Sequence, residues 1–106
     1  MPVEQQNNVR YEDFTIASGA TESNVLNLGC KPLVGIGFPS AFTGTKVTVQ
    51  GSGDGVNFFS ILDLTFSAST GYSIDPVIMC PWSYVKLVSD ASEAAERTIF
   101  GAFRPV

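Results

Sequence analysis

Histidine is absent from this chain of 106 residues. That absence removes the most common general base, the Ser-His and Cys-His nucleophile pairs, and the most common ligand of transition metals. Four aspartates could still pair in space, but each suits a turn or a solvent-exposed strand position instead: Asp54, Asp63, Asp75 and Asp90. The sequence therefore predicts no catalytic residues, no metal site and no cofactor.

Charged side chains are scarce. They make up 15% of the chain, whereas about a quarter is typical of globular domains. Such a surface indicates either a face that a partner covers or a small domain whose exterior carries Ser, Thr and Asn instead. The six Lys and Arg residues are scattered singly and the net charge is −4. Clustered cations are needed to neutralise a phosphate backbone, so we expect no nucleic-acid partner.

Long apolar runs are also missing, since no segment approaches the ~20 residues that cross a bilayer. The first residues are polar and lack the pattern of a signal peptide. We therefore expect no membrane partner and synthesis in the cytoplasm of a host. The two cysteines, Cys30 and Cys80, lack the spacing of a zinc site. They are expected to be half-buried thiols rather than a disulfide.

Polar and apolar residues alternate in several short segments. In the clearest one, Val47 and Val49 point to one face of an extended strand while their neighbours point to the other. A turn follows at Gly53, Asp54 and Gly55. Glycine tolerates the positive φ of tight turns, and Asp accepts hydrogen bonds from its own backbone. This pattern is typical of an antiparallel β-hairpin.

About seven or eight such segments recur at intervals of about 8–12 residues, with turn signals between them. They predict an all-β, single-domain antiparallel β-sandwich or jelly roll over residues 11–106, preceded by a flexible arm at 1–10. Leu33–Phe38 would carry Leu33 and bare glycines on its outer face. Phe58–Phe66 is almost continuously apolar, which suits a strand covered on both sides. No helix of standard length fits, apart from a brief helical turn within 91–96.

Apolar residues near both ends of the chain are candidates for contacts with other proteins. In the last strand, alternation lets Ile99 and Phe103 face the core while Phe100 and Ala102 face outward. An outward Phe100 requires a partner unless a loop covers it, and both interpretations remain open. The candidate interface residues are Val3, Val9, Tyr11, Phe42, Phe100 and Phe103.

Aromatic residues also offer a second function. Trp and Tyr side chains can form a platform on which a sugar stacks. The candidates are Phe42, Tyr72, Trp82 and Tyr84. Trp82 stands just ahead of a strong strand, where packing at the edge of a sandwich core is the alternative role.

Five segments, in this order, resemble small virion proteins of tailed bacteriophages. They are Phe-Thr-Ile-Ala-Ser-Gly-Ala (14–20), Leu-Val-Gly-Ile-Gly-Phe-Pro-Ser-Ala-Phe (33–42), Val-Thr-Val-Gln-Gly-Ser-Gly-Asp-Gly-Val-Asn-Phe (47–58), Tyr-Val-Lys-Leu-Val-Ser (84–89) and Glu-Arg-Thr-Ile-Phe (96–100). The resemblance spans residues 14–103. It implies a non-enzymatic protein on the capsid surface of a virion, a decoration or cement protein that stabilises contacts between capsid subunits. The implied partners are the major capsid protein and further copies of this chain, with a trimer favoured. The alternative is a carbohydrate-binding adhesin module of a tail or fibre.

Overall fold

The computed structural model describes residues 9–105. Within that range it contains nine strands and one short helix. In chain order they are β1 (Arg10–Tyr11), β2 (Phe14–Ile16), β3 (Leu26–Asn27), β4 (Leu33–Gly37), β5 (Lys46–Ser52), β6 (Phe59–Thr65), β7 (Gly71–Ser73), α1 (Pro76–Met79), β8 (Tyr84–Ser89) and β9 (Arg97–Phe103). None of the helical structure in this part of the chain is long and apolar enough to cross a membrane.

The strands form two antiparallel sheets. The four-stranded sheet has the order β3-β8-β5-β6, and the five-stranded sheet has the order β1-β9-β4-β7 with β2 also paired to β9. β1 and β2 lie one after the other along β9, opposite 102–103 and 97–99. The predicted all-β sandwich is therefore confirmed. It has nine strands instead of seven or eight, partly because the segment expected as one first strand is split in two.

The core lies between the sheets and is built from the inward positions of alternating strands. Val47, Val49, Val85, Leu87 and Ile99 have no exposed surface. Burying an aliphatic side chain of this size contributes about 1.5–3 kcal/mol, so the inward rows of the central strands stabilise most of the fold. The two valines that alternate with polar residues in β5 both point into the core, as the sequence pattern indicates.

Two strands differ from expectation. Leu33, expected on the outer face of β4, is buried, because the pairing of β4 with β9 shifts register between Leu33 and Gly35. Such a bulge turns one residue inward while its neighbours keep their faces. β6, expected to be covered on both sides, pairs only with β5 and is an edge strand, and Phe59 at its start is 57% exposed.

Two loop regions also differ. Residues 91–96, expected to contain a helical turn, have no helical structure. Residues 72–79, expected to hold one short strand interrupted by Pro76, instead form the end of β7 and then α1. Asp75 caps this helix by accepting a hydrogen bond from the Val77 N–H at 3.0 Å, and Pro76 occupies the first turn. Both features are standard helix-start signals.

Candidate functional site

The first candidate surface is the outer face of the five-stranded sheet. Residues that pair directly across strands share a face, so the register of β1, β2, β4, β7 and β9 fixes which side chains point outward. We call this set the uncharged face: Tyr11, Thr15, Gly35, Gly37, Gly71, Ser73, Thr98, Phe100 and Ala102. None of these strand residues is charged. In the break between β1 and β2, the charged residues Glu12 and Asp13 are both exposed.

Two aromatic rings stand on the uncharged face. Tyr11 is 63% exposed and Phe100 is 43% exposed. Their ring centroids lie 5.4 Å apart with an interplanar angle of 30°. Gly37 pairs directly opposite Phe100 and Gly35 opposite Ala102, so the neighbouring surface is flat. No loop covers Phe100 sufficiently to hide it. The pair is the part of this face that a partner could bury with most gain.

The outer face of the four-stranded sheet is different. Lys46 Nζ lies 3.5 Å from Asp63 Oδ2 across β5 and β6. The hydroxyl of Thr48 donates a hydrogen bond to Asp63 Oδ1 at 2.6 Å. On β8, Lys86 Nζ lies 2.9 Å from Glu22 Oε1. Charged and hydroxyl side chains that satisfy one another are typical of a solvated face. The contrast makes the uncharged face the contact candidate.

The interface residues predicted from the sequence lie in different parts of the structure. Tyr11 and Phe100 come together, and Val9 is half-buried just before β1. Val3 lies outside the described residues. Phe42 stacks on Phe66 at 5.3 Å and packs against the core from the side.

Phe103 requires a correction. It has no exposed surface and lies on the inner side of β9, with its ring centroid 6.3 Å from that of Phe14. The guanidinium of Arg10 lies 4.3 Å from the centroid of the Phe103 ring. Phe103 is therefore a core residue, as simple alternation along β9 allows, and not an interface residue. Arg10 itself belongs to β1, so the predicted flexible arm extends too far at its C-terminal end.

The second candidate surface begins at the turn between β5 and β6. Oδ1 of Asp54 accepts hydrogen bonds from the N–H groups of Val56 and Asn57, both at 2.9 Å. Oδ2 accepts one from the Asn57 side-chain amide at 2.9 Å. Gly55 has φ 81°, the region that favours glycine. Gly53, Asp54 and Gly55 thus form the turn that the sequence indicates, within a six-residue connection from 53 to 58.

The hydrogen bonds at this turn keep the Asp54 carboxylate ionised. The Asn57 N–H contributes most, followed by the Val56 N–H and the side chains of Asn57 and Ser52, and together they hold the pKa of Asp54 well below its usual range. Bonds donated to the charged form of a carboxyl have this effect because protonation would weaken them. At neutral pH the turn presents a fixed negative charge.

Beside the turn lies a shallow groove with two aromatic walls. Its lining is Gly53, Asp54, Asn57, Phe59 and Trp82. The ring centroids of Phe59 and Trp82 are 5.8 Å apart and the planes are inclined by 34°. Phe59 is mostly exposed, and Trp82 is half-buried against the core. We call this the Phe59–Trp82 groove.

Trp82 reaches the groove because β5 has a glycine beneath it. A Cβ atom at Gly51 would lie 2.6 Å from Cγ of Trp82 and 2.6 Å from Cδ1 of Ile61. Gly in a strand interior commonly marks such a close approach. The ring therefore lies directly over the β5 backbone, and close packing against Gly51 fixes its position.

The four aromatics predicted as a sugar platform are not brought together. Phe42 and Tyr72 both pack around Phe38, with ring centroids 6.0 and 5.7 Å from it. Tyr84 lies against the Gly55 turn. Trp82 faces Phe59, which the sequence reading did not include as a candidate. Phe59 was hidden in an apolar run, although its place directly after a turn was a usable signal.

Both cysteines are exposed thiols without a disulfide, so the expectation of half-burial is wrong. Both line one depression, together with Lys31, Pro32 and Met79. Across residues 9–105, no group of three or more His, Cys, Asp or Glu side chains is placed to hold a metal ion.

Glu93 is a buried carboxylate that no sequence pattern singles out, since it lies in a polar loop. It is 1% exposed. Its oxygens accept hydrogen bonds from the N–H groups of Thr43 at 2.8 Å and Gly44 at 3.0 Å. Ser89 Oγ and Arg97 Nε donate to it at 2.8 Å each. All four contacts are structural, so Glu93 is not available as an acid or base.

The pKa of Glu93 reflects two opposing effects. Burial raises it, and this is the largest single contribution, but the bonds from the Thr43 N–H, Arg97, the Gly44 N–H and Ser89 together outweigh burial. The pKa of Glu93 is therefore below its ordinary value. The carboxylate stays charged within the sandwich because every lone pair is directed at a donor.

Comparisons with known proteins identify the fold. No protein-family model matches the chain, and no curated protein sequence matches it. Among solved structures, the SPBc2 prophage-derived protein YomS has a TM-score of 0.62 at 12% identity, over 90% of this chain and 93% of that one.

Two further structures are more distant. Chitosan-binding module 1 of a chitosanase/glucanase from Paenibacillus sp. IK-5 has a TM-score of 0.49 at 16% identity, over 86% of this chain and 74% of the module. A mitogen from Yersinia pseudotuberculosis has a TM-score of 0.46 at 10% identity, over 93% of this chain and 86% of the mitogen. The similarity to YomS, at 12% identity, establishes the fold alone.

Proposed function

We propose that this protein is a non-enzymatic structural protein of a tailed-bacteriophage virion, a decoration protein that binds the outer surface of the capsid. The observation that carries the proposal is the uncharged face with its exposed pair Tyr11 and Phe100. Its partners are the major capsid protein and further copies of this chain. The protein would be made in the host cytoplasm and would act on the capsid surface.

The uncharged face has the chemistry of a protein–protein contact. Interface centres are depleted of charged residues and enriched in aromatic ones. Tyr11 and Phe100 supply the aromatic surface, and the glycines of β4 allow a partner backbone to approach closely. The opposite sheet instead carries matched charges, as expected of a face that stays in water. One sandwich face thus suits association and the other suits solvent.

Oligomerisation would make such modest contacts sufficient. A trimer that engages neighbouring capsid subunits converts its second and third contacts into intramolecular events, which raises avidity steeply. A rigid sandwich loses little conformational freedom on binding. These are the physical requirements of a protein that ties subunits of a shell together.

The fold similarity to YomS supports a phage origin, since that protein is prophage-derived. The buried Glu93 carboxylate has a structural role, because each of its oxygens accepts two hydrogen bonds within the protein. Neither observation identifies the capsid as the partner. That step depends on the uncharged face and on the resemblance to phage virion proteins in the sequence.

The deciding experiment uses emptied capsids of the parent phage that lack this protein. Purified protein should co-sediment with them and raise their melting temperature. Phe100→Asp, which places a charge in the centre of the uncharged face, should abolish co-sedimentation while the circular dichroism spectrum stays unchanged.

The control is Val25→Asp, because Val25 is 44% exposed, almost the same as Phe100, and precedes β3 of the other sheet. This variant should bind as the natural protein does. Equal binding by the natural protein and the Phe100→Asp variant would remove the uncharged face from the interface. Failure of the natural protein to bind any capsid would overturn the function itself.

A further inference from the structure

We propose that the Phe59–Trp82 groove is a second binding site, for a neutral pyranose sugar of an oligosaccharide. The site is separate from the uncharged face and does not depend on capsid binding. It consists of two aromatic walls, a fixed carboxylate and a side-chain amide within one shallow depression.

The aromatic walls suit one flat face of a pyranose ring. Such a ring presents a patch of C–H groups that packs on an aromatic face, while its hydroxyls remain at the rim. Phe59 is 57% exposed, an unusual position for a phenylalanine at the first residue of a strand. Trp82 is held over Gly51 by close packing, so the second wall is already in position before a ligand arrives. Preorganised walls lower the entropy cost of binding.

The rim of the groove supplies hydrogen-bonding groups. Oδ2 of Asp54 accepts one bond, from the Asn57 amide at 2.9 Å, and a carboxylate oxygen can accept at least one more. The side-chain oxygen of Asn57 is a further acceptor at the same rim. Both groups are held by the turn and need no rearrangement. Two acceptors beside an aromatic wall match the hydroxyl donors around a sugar ring.

Charge selects among possible sugars. The Asp54 carboxylate is ionised at neutral pH, and the chain carries a net charge of −4. Like charges disfavour uronic acids, sialic acids and phosphorylated glycans. A neutral sugar is not repelled, and its hydroxyls can donate hydrogen bonds to the Asp54 carboxylate.

The test uses Trp82 as its own reporter, because it is the one tryptophan in the chain. Fluorescence is recorded while cellohexaose, maltohexaose and the hexamer of N-acetylglucosamine are each added up to about 10 mM, with polygalacturonate as the acidic comparison. A saturable shift with a neutral hexamer and none with polygalacturonate is expected. No saturable shift with all three neutral hexamers would overturn the proposal, as would a preference for polygalacturonate.

Variants locate the site. Phe59→Ala should weaken binding about fivefold to tenfold through loss of one stacking contact, and Phe59→Tyr should retain it. Gly53→Gln should also weaken binding, because a Cβ at Gly53 meets no atom within 4 Å and the added side chain stands at the groove rim without disturbing the fold.

The matched control is Phe58→Ala. Phe58 is the neighbouring phenylalanine, but its ring packs on Lys86 Nζ at 4.5 Å and does not line the groove. This variant should bind the hexamer normally. Equal weakening by Phe58→Ala and Phe59→Ala would overturn the assignment, since the effect would then come from the loop as a whole. Phe100→Asp should leave sugar binding unchanged, which separates this site from the capsid contact.

Discussion

Nε of Arg97 donates a hydrogen bond of 2.8 Å to Oε1 of Glu93, which lies four residues earlier in the chain. The pair connects β9 of the five-stranded sheet to the start of β5 in the other sheet, because Glu93 also accepts from the Thr43 and Gly44 N–H groups. Arg97 further donates to Thr43 Oγ1 at 3.2 Å. This hydrogen-bonded cluster links the two sheets through the loop before β5.

Removing the Glu93 carboxylate should destabilise the fold strongly. Glu93→Ala leaves the Arg97 guanidinium and two backbone N–H groups without their acceptor, and we expect a loss of about 3 kcal/mol in the free energy of unfolding. Glu93→Gln should cost less, since one amide oxygen still accepts. Urea denaturation measures both. Glu96→Gln removes the same charge from an exposed side chain nearby and should change stability little. If Glu93→Ala matched this control, the cluster would not stabilise the fold.

Stability should fall in acid. Burial raises the pKa of Glu93, but its four hydrogen bonds outweigh burial and leave that pKa below its ordinary value. Hydrogen bonds chiefly from the Thr48 hydroxyl lower the pKa of Asp63, and those chiefly from the Thr45 hydroxyl lower the pKa of Asp90. A carboxyl with a lowered pKa stabilises the folded state fully above its unfolded pKa of about 4, and this stabilisation is lost as the pH falls through the folded value.

Melting temperature should therefore be nearly constant between pH 6 and 5 and should decrease steadily below about pH 4. Glu93→Gln, which has no group to titrate at that position, should show a smaller decrease over the same range. A melting temperature that rose on acidification would contradict the lowered pKa values of these three carboxyl groups.

The sandwich could be read from the sequence because its central strands obey strict alternation. Val47 and Val49 share one face of a strand in both the prediction and the structure, and that face is buried. The register of β4 could not be read, since a bulge at Leu33 depends on how β9 lies beside it. The apolar run of β6 was misleading for a related reason: sequence does not state whether a strand is central or at an edge.

The candidate sites were recovered in part. Tyr11 and Phe100 were both named from the sequence, but nothing in it indicated that their rings would meet, because they are 89 positions apart (100 − 11) and joined only by the pairing of β1 with β9. Phe59 was missed because its exposure follows from the edge position of β6. Glu93 was missed because burial of a charge depends on donors from three separate parts of the chain: the loop before β5, the end of β8 and the start of β9.

Both thiols should react readily in the native protein. Cys30 and Cys80 are exposed and not joined to each other, and access is a main determinant of thiol reactivity. Ellman's reagent should therefore titrate two thiols per chain without denaturant, and the same number in guanidinium chloride. Two thiols that became detectable only after reduction would show instead that the cysteines form a disulfide.

Gly51→Ala should displace Trp82. The new Cβ would lie 2.6 Å from the indole Cγ and equally close to Ile61 Cδ1. The Ile61 methyl is the end of a flexible side chain and can turn away, but Cγ is where the indole joins its side chain, so the whole ring must shift. Overpacking of this kind costs about 1–3 kcal/mol. The variant should melt at a lower temperature, with a red-shifted Trp82 emission as the ring becomes more exposed. Gly53→Ala is the matched control, because its Cβ meets no neighbour, and it should melt like the natural protein. Unchanged emission in Gly51→Ala would mean that the indole does not rest on the β5 backbone.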